Sequence, residues 1–332
     1  MRDEDALCQP LGQVARHRPH LPPHSLSARG HLVIPFLRRP VPNRSVAVMS
    51  AVPDGMAALR IEGSGNRPKV IGFAQQGGSS HSEELFTRLA AGVGLAGSRL
   101  IALLGHEYYQ TVMIEAPNAP ADELNWAIRW QLKDYLNFPL DEVVLDYLPV
   151  PGGAGRPDSI YVVAAQSSAV RELARHCQSA ELALEAIDVA EPSQHYLSRK
   201  LAPANQALAL LHYDGKIGLL TVSFGEHLML SRRIEHRGIA TGSQIDTVCI
   251  EVQRSLDYFD RQFSWIPLAK FLLAPGADSS RLARQLRDYL AVSIDVLDLG
   301  QVFDFGIEAA LQDVNVQNVA FHLLCASLRE MG

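Results

Sequence analysis

The 332-residue sequence lacks the long hydrophobic run that a membrane-spanning helix requires. Such a helix takes at least about 18 consecutive apolar residues, and no stretch of that length occurs. The N-terminus also lacks the continuous apolar core of a signal peptide. We therefore expect no direct insertion into a membrane, so that any membrane location depends on a partner.

Cysteine is scarce, and its four copies lie far apart, at positions 8, 177, 249 and 325. Zinc sites and redox motifs need closely spaced cysteine pairs, so the sequence indicates neither a metal nor a redox centre. Cys177, Cys249 and Cys325 fall within apolar helical patterns, which predicts buried free thiols. Free thiols fit a reducing compartment such as the cytoplasm.

The familiar catalytic motifs are also missing: the sequence has no P-loop, no HExxH and no nucleophile elbow. Residues 92–97 match the GxGxxG pattern, but they follow a predicted helix (82–91) and precede a predicted strand (99–104). A dinucleotide fingerprint must follow a strand and open a helix. These glycines are therefore interpreted as a helix C-cap, and an unrelated α/β enzyme stays a weak alternative without a recognisable constellation.

Neither sign of charge dominates, because the net charge is −6, and wholesale binding to nucleic acid is not indicated. The charge is nevertheless uneven. Residues 1–44 hold seven arginines and three acids, a balance of +4, which leaves −10 for the rest. Residues 1–32 are also rich in proline and histidine, and we predict that they are disordered or not translated, with initiation at Val33 as one possibility.

Two strand meanders, each followed by helices, organise the remaining sequence. This order predicts a duplicated α/β fold, the actin-like (ribonuclease-H-like) ATPase fold, with two related domains and an interdomain cleft. We place the first domain at 33–204, completed by a C-terminal helix within 305–332, and the second at 205–304. The six predicted meander strands are 45–50, 57–61, 69–75, 208–212, 217–223 and 227–234.

A predicted helix at 121–136 has two apolar faces. Leu124, Ile128, Leu132 and Tyr135 share one face, while Trp126 and Trp130 lie one turn apart on nearly the opposite face. A surface helix normally has a single apolar face. Either the helix is sandwiched between two layers, or its tryptophan face is offered to a partner.

Two further patterns concern buried positions. Asp146 shares a predicted strand face with Val144 and Leu148, so its carboxylate needs hydrogen-bond partners, and structural pairing is favoured over catalysis. A predicted helix at 243–260 has an apolar face and an outer face on which Arg254 can pair with Asp257. The apolar face comprises Ile245, Val248, Val252, Leu256 and Phe259.

Three blocks of sequence resemble a known family. Residues 126–147 read WAIRWQLKDYLNFPLDEVVLDY, and this Trp-containing helix, aromatic-Pro and acidic strand resemble the PilM family of type IV pilus proteins. Residues 251–259, EVQRSLDYF, are similar to its MshI branch, which serves the mannose-sensitive haemagglutinin (MSHA) pilus. Residues 325–329, CASLR, resemble the closing helix of the family. The likeness extends over residues 44–330 in element order.

This resemblance implies an actin-like scaffold or adaptor in the bacterial cytoplasm, peripheral to the inner membrane. The implied partners are the cytoplasmic N-terminal tail of a PilN/MshJ-like membrane protein and other proteins of the pilus assembly platform. The cytoplasmic domain of GspL, from type II secretion, is related to the same family. Trp126 and Trp130 are candidate partner-binding residues.

Actin-like ATPases hold Mg-ATP with two hairpins of the form Asp-x-Gly-x-x-x-Ser/Thr, in which glycine lets backbone amides approach phosphate. The corresponding residues here are Asp54 and Gly55 in one hairpin and Asp214 and Gly215 in the other. The first hairpin has no Asp at its strand end, and the second lacks the hydroxyl and reads as a tight type I′ turn. We therefore expect no cofactor and no enzymatic activity; a nucleotide-binding switch that retains Mg-ATP is the alternative.

Overall fold

The computed structural model describes residues 45–53, 55–63, 67–78, 82–153, 155–235, 244–306 and 308–329. Its strands are β1 (Ser45–Val52), β2 (Gly55–Glu62), β3 (Lys69–Gly77), β4 (Arg99–Leu103), β5 (Tyr109–Glu115), β6 (Val143–Val150), β7 (Ser159–Gln166), β8 (Ala183–Asp188), β9 (Ala207–Tyr213), β10 (Ile217–Phe224), β11 (His227–Glu235), β12 (Leu268–Leu273) and β13 (Ile294–Val296). Its helices are α1 (Glu83–Val93), α2 (Leu124–Leu132), α3 (Ser167–Ser179), α4 (Ala190–Leu201), α5 (Gln244–Gln262), α6 (Ser279–Tyr289) and α7 (Val314–Ala326). The predictions for residues 1–32 lie outside the described residues.

Two five-stranded sheets share one topology. The first sheet has the order β3-β2-β1-β4-β8, and the second has the order β11-β10-β9-β12-β13. In each, three consecutive antiparallel strands form a meander, and two later strands add in parallel beside its first strand. One ribonuclease-H-like sheet order occurring twice along a chain is the actin-like arrangement, so the predicted α/β fold class is confirmed.

A third sheet, with the antiparallel order β5-β7-β6, is formed by the part of the sequence between β4 and β8, which are themselves neighbours in the first sheet. One of its faces is covered by α2, where Ile128 and Leu132 pack against Ile114 and Val162. Its other face contacts the rest of the molecule, because Tyr161 belongs to the core of the second sheet. Trp126 and Trp130 on the far side of α2 are exposed, so no further layer covers α2 in the described part of the chain, and the interpretation of a sandwiched helix was wrong.

The helices α4 and α7 lie against each other and join the two large sheets. One apolar cluster contains Val48 of the first sheet, Leu210 of the second, Leu197 of α4 and Phe321 of α7. The C-terminal helix therefore packs on strands β1, β2 and β4, far from it in sequence. The domain boundaries at residues 204 and 304 remain predictions, because this cluster is shared by both sheets.

A buried ion pair links the third sheet, α4 and the second sheet. The Arg233 guanidinium lies 2.7 Å from the carboxylate of Glu191 and donates to Tyr109 Oη at 2.8 Å. Tyr109 Oη in turn donates to Glu191 at 2.7 Å. Burial, together with the Glu191 charge, raises the pKa of Tyr109, so its phenol stays protonated and keeps this donor.

Several helix predictions meet the structure directly. The apolar face of α5 is buried at all five predicted positions, and Cys177, Cys249 and Cys325 are buried free thiols, as predicted. Arg254 pairs with Glu251, at 2.7 Å, where Asp257 was the predicted partner. The predicted 121–136 helix extends only over Leu124–Leu132, so Tyr135 leaves the apolar face and is 59% exposed. Its predicted place on that face was wrong.

Two further observations concern the end of α1 and the length of the helices. Gly94 ends α1 in the left-handed conformation with φ of 66°, which confirms the C-cap interpretation of residues 92–97. Among the described residues, no helix has the length and apolarity needed to cross a bilayer.

Candidate functional site

A cleft of about 200 Å³ lies where the strands of the second sheet end. Asp214 and Gly215 in the β9–β10 turn form one wall. The loop between β12 and α6 contributes Asp278, and the first turns of α7 contribute Asn315 and Asn318. The sequence thus led to one wall of this cleft, and the other two walls come from segments 60 or more residues further along the chain.

The Asp214 carboxylate is used inside its own turn. Its Oδ1 accepts the backbone amides of Lys216 and Ile217, each at 2.7 Å. Gly215 has φ of 94°, but Asp214 is not among the described residues with positive φ. A type I′ turn needs positive φ at both central residues, so that prediction was wrong. The loop has three residues because the Asp214 side chain supplies the acceptor that closes it.

Asn318 holds the three walls together. Its Nδ2 donates to the carbonyls of Tyr213 and Pro275, at 3.1 and 2.8 Å. His212 Nε2 faces the Asn318 carbonyl at 3.1 Å, and burial lowers the pKa of His212, so the imidazole donates as a neutral ring. Gly276 passes so close that a Cβ there would lie 2.7 Å from Asn318 Nδ2. Asn318 thus links the end of β9, the β12–α6 loop and α7 at the base of the cleft.

The described lining of this cleft lacks part of what phosphate binding uses. A triphosphate needs backbone amides and cations, yet the amides of Lys216 and Ile217 are already occupied by Asp214. None of the residues that line the cleft in the described chain is lysine or arginine. Within the same residues, no cluster of three or more His, Cys, Asp or Glu side chains could hold a metal ion.

The described part of the first candidate hairpin is not in the lining of the cleft. Asp54 lies outside the described residues, and Gly55 is absent from the lining that the structure describes. Gly55 instead pairs with Val52 across the β1–β2 turn, and a Cβ on it would lie 2.0 Å from the Gln76 carbonyl oxygen. The close approach of β2 and β3 therefore accounts for the glycine at this position.

A second concavity, the inter-sheet groove, lies between the third sheet and the start of α4. Its apolar walls are Leu148, Val163, Ile187, Val189 and Pro192. The groove has a volume of about 20 Å³, room for one group the size of a water molecule. Two carboxylates, Asp146 and Asp188, also line it.

The two carboxylates of the groove differ in their partners. Asp188 is fully paired: its Oδ2 accepts Arg329 at 3.0 Å and Tyr196 Oη at 3.1 Å, and its Oδ1 accepts the Val189 amide at 2.8 Å. Asp146 has an Oδ1 that accepts the Tyr147 amide at 2.8 Å and forms no ion pair within the described chain. Burial raises the pKa of Asp146 to about 6. The predicted pairing of Asp146 is thus limited to its neighbour's amide.

Sequence reasoning missed the rest of the groove. Asp188 and Arg329 are separated by 141 positions, and no local pattern connects them. The only sequence signal was the place of Asp146 on an apolar strand face. The groove forms because β6 and β7 of the inserted sheet come to lie beside the end of β8.

A third surface, the α2 aromatic platform, consists of Trp126 and Trp130. Their side chains are 68% and 65% exposed, and their rings stack with centroids 5.9 Å apart and planes within 14°. Lys133 Nζ lies 5.8 Å from the Trp130 ring centroid. The sequence predicted either burial of these tryptophans between two layers or their exposure to a partner, and the structure shows that they are exposed.

Two solved structures share this architecture. A chain of the PilM–PilN type IV pilus biogenesis complex matches with a TM-score of 0.66 and 20% sequence identity, over 88% of this chain and 100% of that chain. The cytoplasmic domain of EpsL, an inner-membrane component of the type II secretion system of Vibrio cholerae, matches with a TM-score of 0.50 and 12% identity. That match covers 84% of this chain and 94% of the EpsL domain. At these identities the likeness establishes the fold.

Comparison by sequence adds no relative. No protein-family model matches the chain, and no curated protein matches it.

Proposed function

We propose that this protein is a non-enzymatic adaptor of a type IV pilus assembly platform, and that it binds the cytoplasmic tail of a PilN-like inner-membrane protein. The inter-sheet groove is the observation that carries the proposal. It combines apolar walls with Asp146, a carboxylate that forms no ion pair in the described chain. The protein would then be cytoplasmic and reach the membrane through this partner.

Two lines of support come from outside the groove. One solved structure of this fold is a chain of a PilM–PilN type IV pilus biogenesis complex. The sequence blocks at 126–147 and 251–259 resemble the same family, and the second suggests the MSHA pilus through the MshI branch. A GspL-like place in a type II secretion system is the alternative that the EpsL likeness favours.

The chemistry of the groove specifies what the tail should contain. An apolar side chain of an extended segment would cover the half-buried Leu148. The gain is proportional to the apolar area removed from water. The pocket beside Asp146 has room for a single small group. An ammonium group placed there would donate a charge-assisted hydrogen bond to a carboxylate that has lost much of its hydration.

The decisive experiment is a titration of the full chain with a fluorescently labelled peptide of the N-terminal cytoplasmic residues of the PilN-like protein from the same organism. We expect saturable binding by fluorescence anisotropy, weakened several-fold by Asp146→Asn and by Leu148→Ala. The double variant Trp126→Ala/Trp130→Ala is the control and should bind this tail as the native chain does. Failure to bind at high micromolar concentration would refute the adaptor proposal.

A further inference from the structure

The α2 aromatic platform is a second interaction surface, separate from the inter-sheet groove. It lies on the outer side of α2, whereas the groove lies on the opposite face of the third sheet. Two tryptophans side by side, each about two-thirds exposed, form an apolar area that water solvates poorly. Tryptophan is also the residue that contributes most often to the energetic centre of a protein interface.

The segment that carries the platform, residues 121–142, is acidic, and its exposed acids are called the acidic rim. Residues 121–142 contain five acids and two cations, a formal balance of −3. All five acids are exposed: Asp122, Glu123, Asp134, Asp141 and Glu142. The Arg129 guanidinium is occupied within the fold, because it donates to the carbonyls of Leu140 and Val143, at 2.9 and 2.8 Å.

The face of Trp130 already attracts a cation of this chain. Lys133 Nζ lies 5.8 Å from the ring centroid, within the range at which an ammonium interacts with the π face of an indole. Trp126 stacks on Trp130, and no cation of the described chain lies over the Trp126 ring. A planar guanidinium stacks on an indole more favourably than an ammonium does.

We propose that the α2 aromatic platform binds an arginine-bearing, cationic segment of a partner protein. Guanidinium groups would stack on Trp126 and Trp130, and the acidic rim would balance their charge. The same rim disfavours an anionic lipid surface, which recruits proteins through lysine and arginine. It disfavours a second copy of this chain as well, since two acidic rims would face each other.

The test uses the full chain and three labelled octapeptides, acetylated and amidated: Arg-Ser repeated four times, and the matched Lys-Ser and Glu-Ser sequences. By fluorescence anisotropy we expect the arginine peptide to bind, the lysine peptide to bind several-fold more weakly, and the glutamate peptide not to bind. Trp126→Ala/Trp130→Ala should weaken arginine-peptide binding by roughly tenfold or more. The control Trp265→Ala, at the remaining tryptophan, should leave it unchanged.

Four results would overturn the proposal. The first is no binding of the arginine peptide, and the second is equal binding of arginine and lysine peptides that survives Trp126→Ala/Trp130→Ala, which is attraction to acids alone. The third is binding to phosphatidylglycerol vesicles that requires both tryptophans, which would identify a membrane surface. The last is a concentration-dependent dimer abolished by the same variant, which would identify a second copy. Circular dichroism of each variant excludes misfolding as the cause.

Discussion

Asp146 shows how the surroundings of one side chain can set a pH dependence. Burial in the inter-sheet groove raises its pKa to about 6 from the ordinary value of 3.8, and the Tyr147 amide offsets only part of that rise. Between these pH values the folded protein holds a proton that the unfolded chain releases. Stability from this group is therefore present below pH 4 and is lost as the pH rises through 6.

Asp146→Asn removes the ionisable group and keeps an oxygen that can accept the Tyr147 amide. We expect the variant to be more stable than the native chain at pH 8, by on the order of 1–3 kcal/mol, and equally stable near pH 4. Urea denaturation at the two pH values measures both differences. A variant less stable than the native chain at pH 8 would show that the carboxylate is stabilised by contacts within the fold.

The β9–β10 hairpin shows why a motif's spacing does not ensure its chemistry. Asp214 and Gly215 line a cleft, as expected for an actin-like fold. The Asp214 carboxylate, however, accepts hydrogen bonds from two amides of its own turn. Two of the loop's backbone amides, those of Lys216 and Ile217, are therefore already paired and are not available to a phosphate.

Isothermal titration of the full chain with Mg-ATP tests this hairpin. We expect no heat of binding up to millimolar nucleotide, because the cleft lining lacks lysine and arginine in the described residues and the amides of Lys216 and Ile217 are occupied. The variant Asp214→Ala frees the amides of Lys216 and Ile217, and its titration is compared with that of the native chain. A micromolar affinity in the native chain would restore the nucleotide-switch alternative. It would not affect the groove proposal, which the peptide titration tests.

The periodicity of hydrophobic residues predicted most helices and strands, because that pattern depends on neighbours along the chain. It failed where a residue lies beyond a helix end, as Tyr135 does after α2 stops at Leu132. It also could not separate β5, β6 and β7 into a sheet of their own, since pairing between distant strands leaves no local trace. The tryptophans of α2 were found by spacing, and their exposure was decided by the absence of another layer over α2 in the described structure.

The whole molecule is joined by the buried Glu191–Arg233 pair. Glu191 lies on α4, Arg233 on β11 of the second sheet and Tyr109 on β5 of the third, so one network connects three parts of the fold. Breaking such a pair leaves a buried charge without compensation, which costs far more than an exposed pair contributes.

Arg233→Ala should therefore lower the free energy of unfolding by about 3–5 kcal/mol. Arg254→Ala is the matched control, because Arg254 pairs with Glu251 on the surface of α5 and is 71% exposed. Its effect should stay within about 0.5 kcal/mol. Thermal and urea unfolding of the two variants provide the comparison, and similar losses in both would mean that the buried network contributes little.

The contact between Arg329 and Asp188 has a consequence for when the protein becomes competent. Asp188 lines the inter-sheet groove, and its charge is neutralised by a residue that follows every described helix and strand in the sequence. The groove therefore reaches its final charge only after residue 329 has been synthesised and has left the ribosome. A nascent chain that already displays β6, β7 and α4 but lacks this arginine would hold the Asp188 carboxylate without its cation, so the charge balance of the groove is completed late in synthesis.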